Sequence, residues 1–96
     1  MSIEELLREK REEILQIAAR HGARNVRIFG SVARGEADER SDIDFLVEME
    51  RGRSLFDHVA LIRDLEHTLA MRVDVATVGG LKERMRDRVL REAILL

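Results

Sequence analysis

The chain has 96 residues, which suits one small domain with a modest core and little room for accessory substrate-binding structure. It carries 19 acidic and 17 basic side chains, so it lacks the cationic surplus that drives strong nucleic-acid binding. The absence of cysteine excludes disulfides, thiolate metal sites and cysteine nucleophiles. The sequence shows neither a signal core nor an apolar run of membrane length, so we expect a cytoplasmic protein without a membrane partner.

The first part of the chain predicts a helix, a strand and an exposed loop. Ser2 opens a capping box, and the amphipathic helical pattern that follows it continues to His21. Apolar and polar residues alternate over 25–29, which predicts a short strand that runs into a glycine turn. Residues 30–41 are rich in glycine and charge, so we expect an exposed loop there, preceded by a short helix over 31–34.

The second part of the chain predicts two further strands and two helices. Residues 43–49 form the second strand, and Ser54 caps a helix whose apolar face continues to Leu69. A third strand over 73–78 ends at two glycines, and residues 81–96 carry the pattern of a last amphipathic helix. This order predicts an α/β (α+β) fold in one domain over 1–96, a small mixed sheet of three or more strands flanked by helices.

Three aspartates in the predicted strands or directly before them form the candidate catalytic and metal site. Asp42 and Asp44 are two positions apart, so on a strand they point to one face with about 6.6 Å between their Cα atoms. Carboxylates this close repel each other unless one is protonated or a cation lies between them. Asp74 joins them if its strand is adjacent. Two Mg²⁺ ions about 4 Å apart suit such a site, because Mg²⁺ prefers oxygen ligands and completes its shell with phosphate oxygens.

The turn before the first pair of aspartates is the candidate phosphate-binding segment. Gly30 has no Cβ, so phosphate oxygens can approach the backbone N–H groups, and the Ser31 hydroxyl can donate a hydrogen bond beside them. Arg34 and Arg40 follow in the loop and are candidates for balancing phosphate charge, since arginine suits bidentate contact with such oxygens. A solvated loop charge is the alternative interpretation of each arginine.

These residues resemble the glycine-serine and aspartate signature of the DNA polymerase β nucleotidyltransferase superfamily. The run over 30–35 is most similar to the minimal nucleotidyltransferases (MNT), the MntA-like antitoxins of HEPN/MNT pairs, and the similarity covers nearly the whole chain. Members often carry arginine where Val32 stands, a departure that removes one cation but no required ligand. The residues that carry the resemblance are Gly30, Ser31, Asp42, Ile43, Asp44 and Asp74.

The resemblance implies an activity, a set of ligands and a partner. It implies that Asp42, Asp44 and Asp74 bind two Mg²⁺ ions, that Asp74 lies near the attacking hydroxyl, and that the Gly30–Ser31 turn contacts the triphosphate. It also implies transfer of AMP from ATP to a tyrosine of a helical HEPN toxin, which inactivates that toxin. The fold expected from the resemblance is that of the polymerase β-like nucleotidyltransferases.

Two other functions stay open on the sequence. The chain can neutralise a partner by contact alone, as a non-catalytic binding module, although the intact acids argue against it. It can also nucleotidylate a small molecule, but that reaction needs an acceptor pocket for which we expect no room in 96 residues. A partner protein supplies the acceptor more readily. The apolar residues 94–96, together with the exposed faces of the helices, are the expected contact surface, with burial of 94–96 against the sheet as the alternative.

Overall fold

The computed structural model describes residues 2–38 and 40–96, which form a four-stranded mixed sheet with helices packed against it. The predicted fold class, a small mixed sheet flanked by helices, is confirmed. In chain order the elements are α1 (Ile3–Glu9), α2 (Arg11–Arg20), β1 (Ala23–Phe29), α3 (Gly30–Ala33), β2 (Ile43–Met49), α4 (Leu55–Leu69), β3 (Val73–Thr77), a 3₁₀ turn (Val78–Gly80), α5 (Glu83–Glu92) and β4 (Ile94–Leu95).

The strand order β3-β2-β1-β4 brings the predicted site together at one edge of the sheet. β1 runs antiparallel to both of its neighbours, β2 and β4. β2 and β3 are parallel and are joined through α4. The end of β1 therefore meets the starts of β2 and β3, and the register pairs Phe29 with Asp44 and Asp44 with Asp74.

The core lies between one face of the sheet and the helices α1, α2 and α4. Along β2, Ile43, Phe45 and Val47 alternate toward this core and are almost completely buried, as the sequence pattern predicts. Ile14 of α2 and Leu61 of α4 pack into the same cluster. This packing covers one face of β2, so Asp44, which alternates with the core residues, projects from the opposite face.

The helix predicted from Ser2 to His21 is interrupted. The backbone at Lys10 (φ −95°, ψ 5°) departs from helical values, which separates α1 from α2. The helical hydrogen bonds nevertheless continue through this residue, since Lys10 N donates to Leu6 O at 2.9 Å and Ile14 N donates to Lys10 O at 2.9 Å. A periodic sequence pattern does not reveal a distortion of this size, because the apolar positions stay on one face.

The last predicted helix, over 81–96, is wrong at both ends. A 3₁₀ turn occupies Val78–Gly80, α5 starts at Glu83, and the chain leaves the helix at Ala93 with extended backbone (φ −65°, ψ 142°). The next two residues form β4, which pairs with β1 along its open edge, and Leu96 N donates to Val26 O at 3.0 Å. Unpaired backbone groups on β1 favour this pairing over further helical turns.

The helix α4 follows its sequence signals closely. Ser54 caps it in a reciprocal capping box with Asp57, as the sequence predicts for its start. It ends at Ala70, whose backbone lies in the left-handed region (φ 54°) that glycine usually occupies. None of the helices in the two described ranges is both long enough and apolar enough to cross a membrane.

Candidate active site

The turn at the end of β1 requires glycine for two reasons. Gly30 has φ +74°, in the left-handed region that residues with a Cβ rarely adopt. A Cβ added at Gly30 would also overlap the Asp44 carboxylate oxygen Oδ2 and lie 3.2 Å from Asp44 Cγ. The backbone of the turn and the second aspartate of the motif are therefore in direct contact. The sequence signal that predicted a phosphate turn also reflects this close approach.

Asp44 and Asp74 project from neighbouring positions on parallel strands. Residues that pair directly in a parallel sheet point to the same face, and their strands lie about 4.8 Å apart. Asp44 is half-buried and Asp74 is exposed, so the pair opens to solvent at the edge of the sheet. The condition set by the sequence, that the strand of Asp74 be adjacent to that of Asp44, is met.

The surroundings of Asp44 shift the pKa of its carboxyl. Burial raises the pKa of the Asp44 carboxyl above its ordinary value, and the negative charges of Asp74 and Asp42 raise it further. Arg34 acts in the opposite direction. A half-buried carboxylate crowded by two others is the arrangement that a bound cation relieves.

Asp42 differs from the expected geometry. It precedes β2, which begins at Ile43, and its Oδ1 forms an ion pair with Arg72 Nε at 3.0 Å. Arg72 immediately precedes β3, and its Nη2 also donates to the Arg40 carbonyl at 3.2 Å. The side chain of Asp42 is therefore directed toward a cation of the protein.

The three aspartates lie at one edge of the sheet without forming a ready coordination sphere. In the part of the chain that the structure describes, no group of three or more His, Asp or Glu side chains is arranged to hold a metal ion. Asp44 and Asp74 are neighbours, whereas Arg72 holds the carboxylate of Asp42. The assignment of all three as metal ligands therefore stays a prediction.

Ser31 lies in the first turn of α3, directly after Gly30, and is partly exposed. Within residues 2–38 and 40–96 its hydroxyl has no hydrogen-bond partner, while its carbonyl accepts a hydrogen bond from Glu36 N at 2.9 Å. The first N–H groups of a helix lack intrahelical partners, so the backbone of this turn offers donors beside the hydroxyl. The predicted contact of this turn with phosphate stays a prediction.

Arg34 lies near the site but is paired within the chain. Its Nη1 is 2.6 Å from Glu92 Oε1, near the end of α5, and its Nε is 3.3 Å from Glu36 Oε2. Its charge still acts on Asp44, whose pKa it lowers. To reach a nucleotide, Arg34 must give up at least one carboxylate, so its predicted contact with phosphate requires an exchange of partners.

Sequence reasoning missed Arg72 and Glu92. Each contacts a predicted site residue, Arg72 through Asp42 and Glu92 through Arg34. Arg72 could have been found, because a parallel register that pairs Ile43 with Val73 also places the preceding residues side by side. Glu92 offers no such signal, since its contact depends on how α5 packs against α3.

The nucleotidyltransferase domain family matches residues 7–96. The chain belongs to this family. A relative from Thermococcus cleftensis, named protein adenylyltransferase MntA, is 39% identical to this nucleotidyltransferase over 92 residues, which cover 96% of this chain and 90% of the relative. The enzyme class predicted from the sequence, a nucleotidyltransferase, is confirmed, and so is the resemblance to the minimal members.

Solved structures agree with this membership. A protein provisionally named a minimal nucleotidyltransferase is 56% identical to this nucleotidyltransferase and superposes with a TM-score of 0.88, covering 96% of this chain and 94% of its own. A toxin-antitoxin structure with AMP-PNP superposes with a TM-score of 0.75 over 88% of this chain and 69% of its own. At 19% identity, the second likeness concerns the fold.

Proposed function

We propose that this nucleotidyltransferase is an antitoxin that transfers AMP from ATP to a tyrosine hydroxyl of a HEPN-type partner toxin in the cytoplasm. The names of its relatives support the reaction, since one is called a protein adenylyltransferase. The toxin-antitoxin structure with AMP-PNP has the same fold, which supports a paired system that uses an adenine nucleotide. The HEPN character of the partner and its tyrosine follow from the resemblance of the sequence motif.

The close approach of Gly30 to Asp44 carries the proposal. A turn that offers backbone donors to phosphate lies directly against a carboxylate that can bind a cation. Nucleotidyl transfer needs these two features side by side, because the cation must meet both the phosphate oxygens and the protein. The positive φ of Gly30 and its contact with Asp44 hold the two features together.

The chain's carboxylates fit Mg²⁺ by their chemistry. Asp42, Asp44 and Asp74 would hold the ions, and their crowding, which raises the pKa of Asp44, provides the reason for a cation at this edge. Bound Mg²⁺ would supply Lewis-acid stabilisation of the phosphate oxygens and of the leaving pyrophosphate. The turn at Gly30 and Ser31 would hold the triphosphate through backbone N–H groups and the Ser31 hydroxyl.

In the proposed reaction, the tyrosine oxygen of the partner attacks the α-phosphorus of ATP in line with the bond to the β-phosphate. The new bond joins oxygen to the α-phosphorus, the α–β phosphoanhydride bond breaks, and pyrophosphate leaves with the bonding electrons. The proton of the hydroxyl passes to the carboxylate of Asp74, which is exposed beside Asp44. The partner positions the hydroxyl, because alignment of the attacking atom is worth effective molarities of about 10⁵ M or more.

Mass spectrometry of the purified partner tests this proposal. Incubation with the chain, ATP and Mg²⁺ should add one adenylate to a tyrosine of the partner and release pyrophosphate. Asp44→Asn should prevent the addition, whereas Glu48→Gln, on the same strand and face, should leave it unchanged. An equally modified partner with Asp44→Asn would contradict the site assignment.

Contact inhibition is a second candidate function, favoured by the surface around β4. Ile94 and Leu95 are 55% and 70% exposed, and they line an apolar groove of about 160 Å³ together with residues of α1, β1 and α3. The expectation that residues 94–96 form a contact surface agrees with this exposure for the first two, while Leu96 is half-buried against the core. If Asp44→Asn neutralises the toxin fully without adenylation, contact is the function.

A further inference from the structure

Arg72 and Asp42 form an ion pair beside the candidate metal site. Nε of Arg72 lies 3.0 Å from Oδ1 of Asp42, and Nη2 of the same guanidinium donates to the Arg40 carbonyl at 3.2 Å. The guanidinium thus bridges the carboxylate before β2 and the loop that leads to it. Both side chains are accessible, at 75% exposure for Arg72 and 46% for Asp42, so the pair can open into solvent.

We propose that Arg72 is a positioning residue that holds Asp42 out of the metal site until a divalent cation displaces it. The inference rests on the proposed metal site. It follows from the arrangement of the three acids, since Asp44 and Asp74 are neighbours across β2 and β3 while Arg72 holds the carboxylate of Asp42. The described residues contain no metal-competent group of three acidic or histidine side chains, so Asp42 must turn to complete one.

The charge of Arg72 and its hydrogen bond to the Arg40 carbonyl suit it to this role. Its guanidinium lies 3.0 Å from the Asp42 carboxylate and is the counter-cation of Asp42 in the metal-free chain. The hydrogen bond to the Arg40 carbonyl gives the guanidinium a second fixed contact, which keeps it beside the aspartate. A cation bound by Asp42 must compete with this pair, and the competition weakens metal binding to the nucleotide-free chain.

Removal of the competing charge of Arg72 should therefore tighten metal binding. Arg72→Gln should tighten the binding of Mn²⁺, measured by electron paramagnetic resonance on the full chain without nucleotide, by about two- to fivefold, as expected for an exposed ion pair. Arg72→Lys should stay close to wild type, because it restores a positive charge beside Asp42. Arg40→Gln is the matched control, since it removes the same charge nearby but keeps the backbone carbonyl that anchors Arg72.

A second pair of variants ties the effect to the ion pair. In the Asp42→Asn background, Arg72→Gln should no longer change Mn²⁺ affinity, because the carboxylate that Arg72 holds is gone. Half-saturating Mg²⁺ for AMP transfer should also fall in Arg72→Gln, a change in metal dependence that a purely structural role would not produce.

Three outcomes overturn the inference. If Arg72→Gln weakens Mn²⁺ binding, the arginine orients Asp42 as a supporting group, and the proposed displacement is wrong. An effect equal to that of Arg40→Gln would reduce the role of Arg72 to general charge, and so would an effect that persists with Asp42→Asn. Failure of the metal site itself would look different, since Asp44→Asn would then bind Mn²⁺ as well as wild type does.

Discussion

Gly30→Ala should greatly slow transfer at a small cost in stability, and Gly35→Ala is its matched control. The two glycines have nearly the same backbone conformation, with φ +74° at Gly30 and +73° at Gly35. Alanine in the left-handed region costs about 1 kcal/mol at either position, a fall in Tm of roughly 4–8 °C for a domain of this size. The surroundings differ, because a Cβ at Gly35 meets no atom within 4 Å, whereas a Cβ at Gly30 overlaps the carboxylate of Asp44.

The overlap at Gly30 involves the free end of the Asp44 side chain, so we expect the substitution to affect the transfer rate more than the stability. The Asp44 carboxylate can rotate away from a new methyl group, so the free energy of unfolding should fall by about the same amount in both variants. Rotation moves the carboxylate from its place beside the turn, and a misplacement of about 1 Å can reduce the rate about 100-fold. We therefore expect similar stabilities but a transfer rate at least about 100-fold lower in Gly30→Ala.

Chemical denaturation measures the stabilities, and mass spectrometry of the adenylated partner measures the rates. Calorimetry of ATP binding in the presence of Mg²⁺ adds a third quantity, which should fall in Gly30→Ala and stay near wild type in Gly35→Ala. Equal rates in the two variants would show that the contact between the turn and Asp44 has no consequence for the reaction.

Three further predictions concern other parts of the structure. Asp44→Asn should raise the free energy of unfolding of the metal-free chain at neutral pH, since it removes one of three crowded charges. A lower free energy of unfolding for the variant, measured by chemical denaturation with chelator present, would contradict this. The 2.6 Å hydrogen bond from His21 lowers the pKa of the Asp64 carboxyl, so its stabilisation holds above the ordinary carboxyl range and is lost on acidification. Wild type should therefore lose stability more steeply than Asp64→Asn below about pH 4, and parallel pH profiles would contradict this. Ala70→Gly should raise the free energy of unfolding by about 0.5–1 kcal/mol, because Ala70 has φ 54° and glycine adopts this conformation without strain. A lower Tm for the variant would contradict this.

Local signals in the sequence account for much of the fold. The alternation in β2 and the capping residue Ser54 placed a strand and a helix where the structure has them, because each depends on near neighbours along the chain. The final strand β4 was missed because it forms by pairing with β1, about 65 residues earlier in the sequence. Its residues continue a helical pattern, and only the open edge of β1 favours the extended form.

In the candidate site, too, the sequence predicts the features that depend on local signals better than those that depend on distant residues. The contact of Gly30 with Asp44, and the pairing of Asp44 with Asp74, follow from strand ends that the motif locates correctly. The ion pair of Arg34 with Glu92 depends on a side chain from a distant segment, so the sequence pattern could not show it, whereas the pair of Arg72 with Asp42 follows once the parallel register of β2 and β3 is known. Only the structure therefore shows that Arg34 is paired with carboxylates of the chain.

The location of bound metal decides whether the three aspartates form the metal site. Crystals of the chain with Mn²⁺ and a non-hydrolysable ATP analogue would give anomalous difference peaks at the positions of the metal. We expect peaks about 2 Å from the carboxylate oxygens of Asp42, Asp44 and Asp74, with the phosphates against the turn at Gly30 and Ser31. Metal and nucleotide bound away from this edge of the sheet would contradict it.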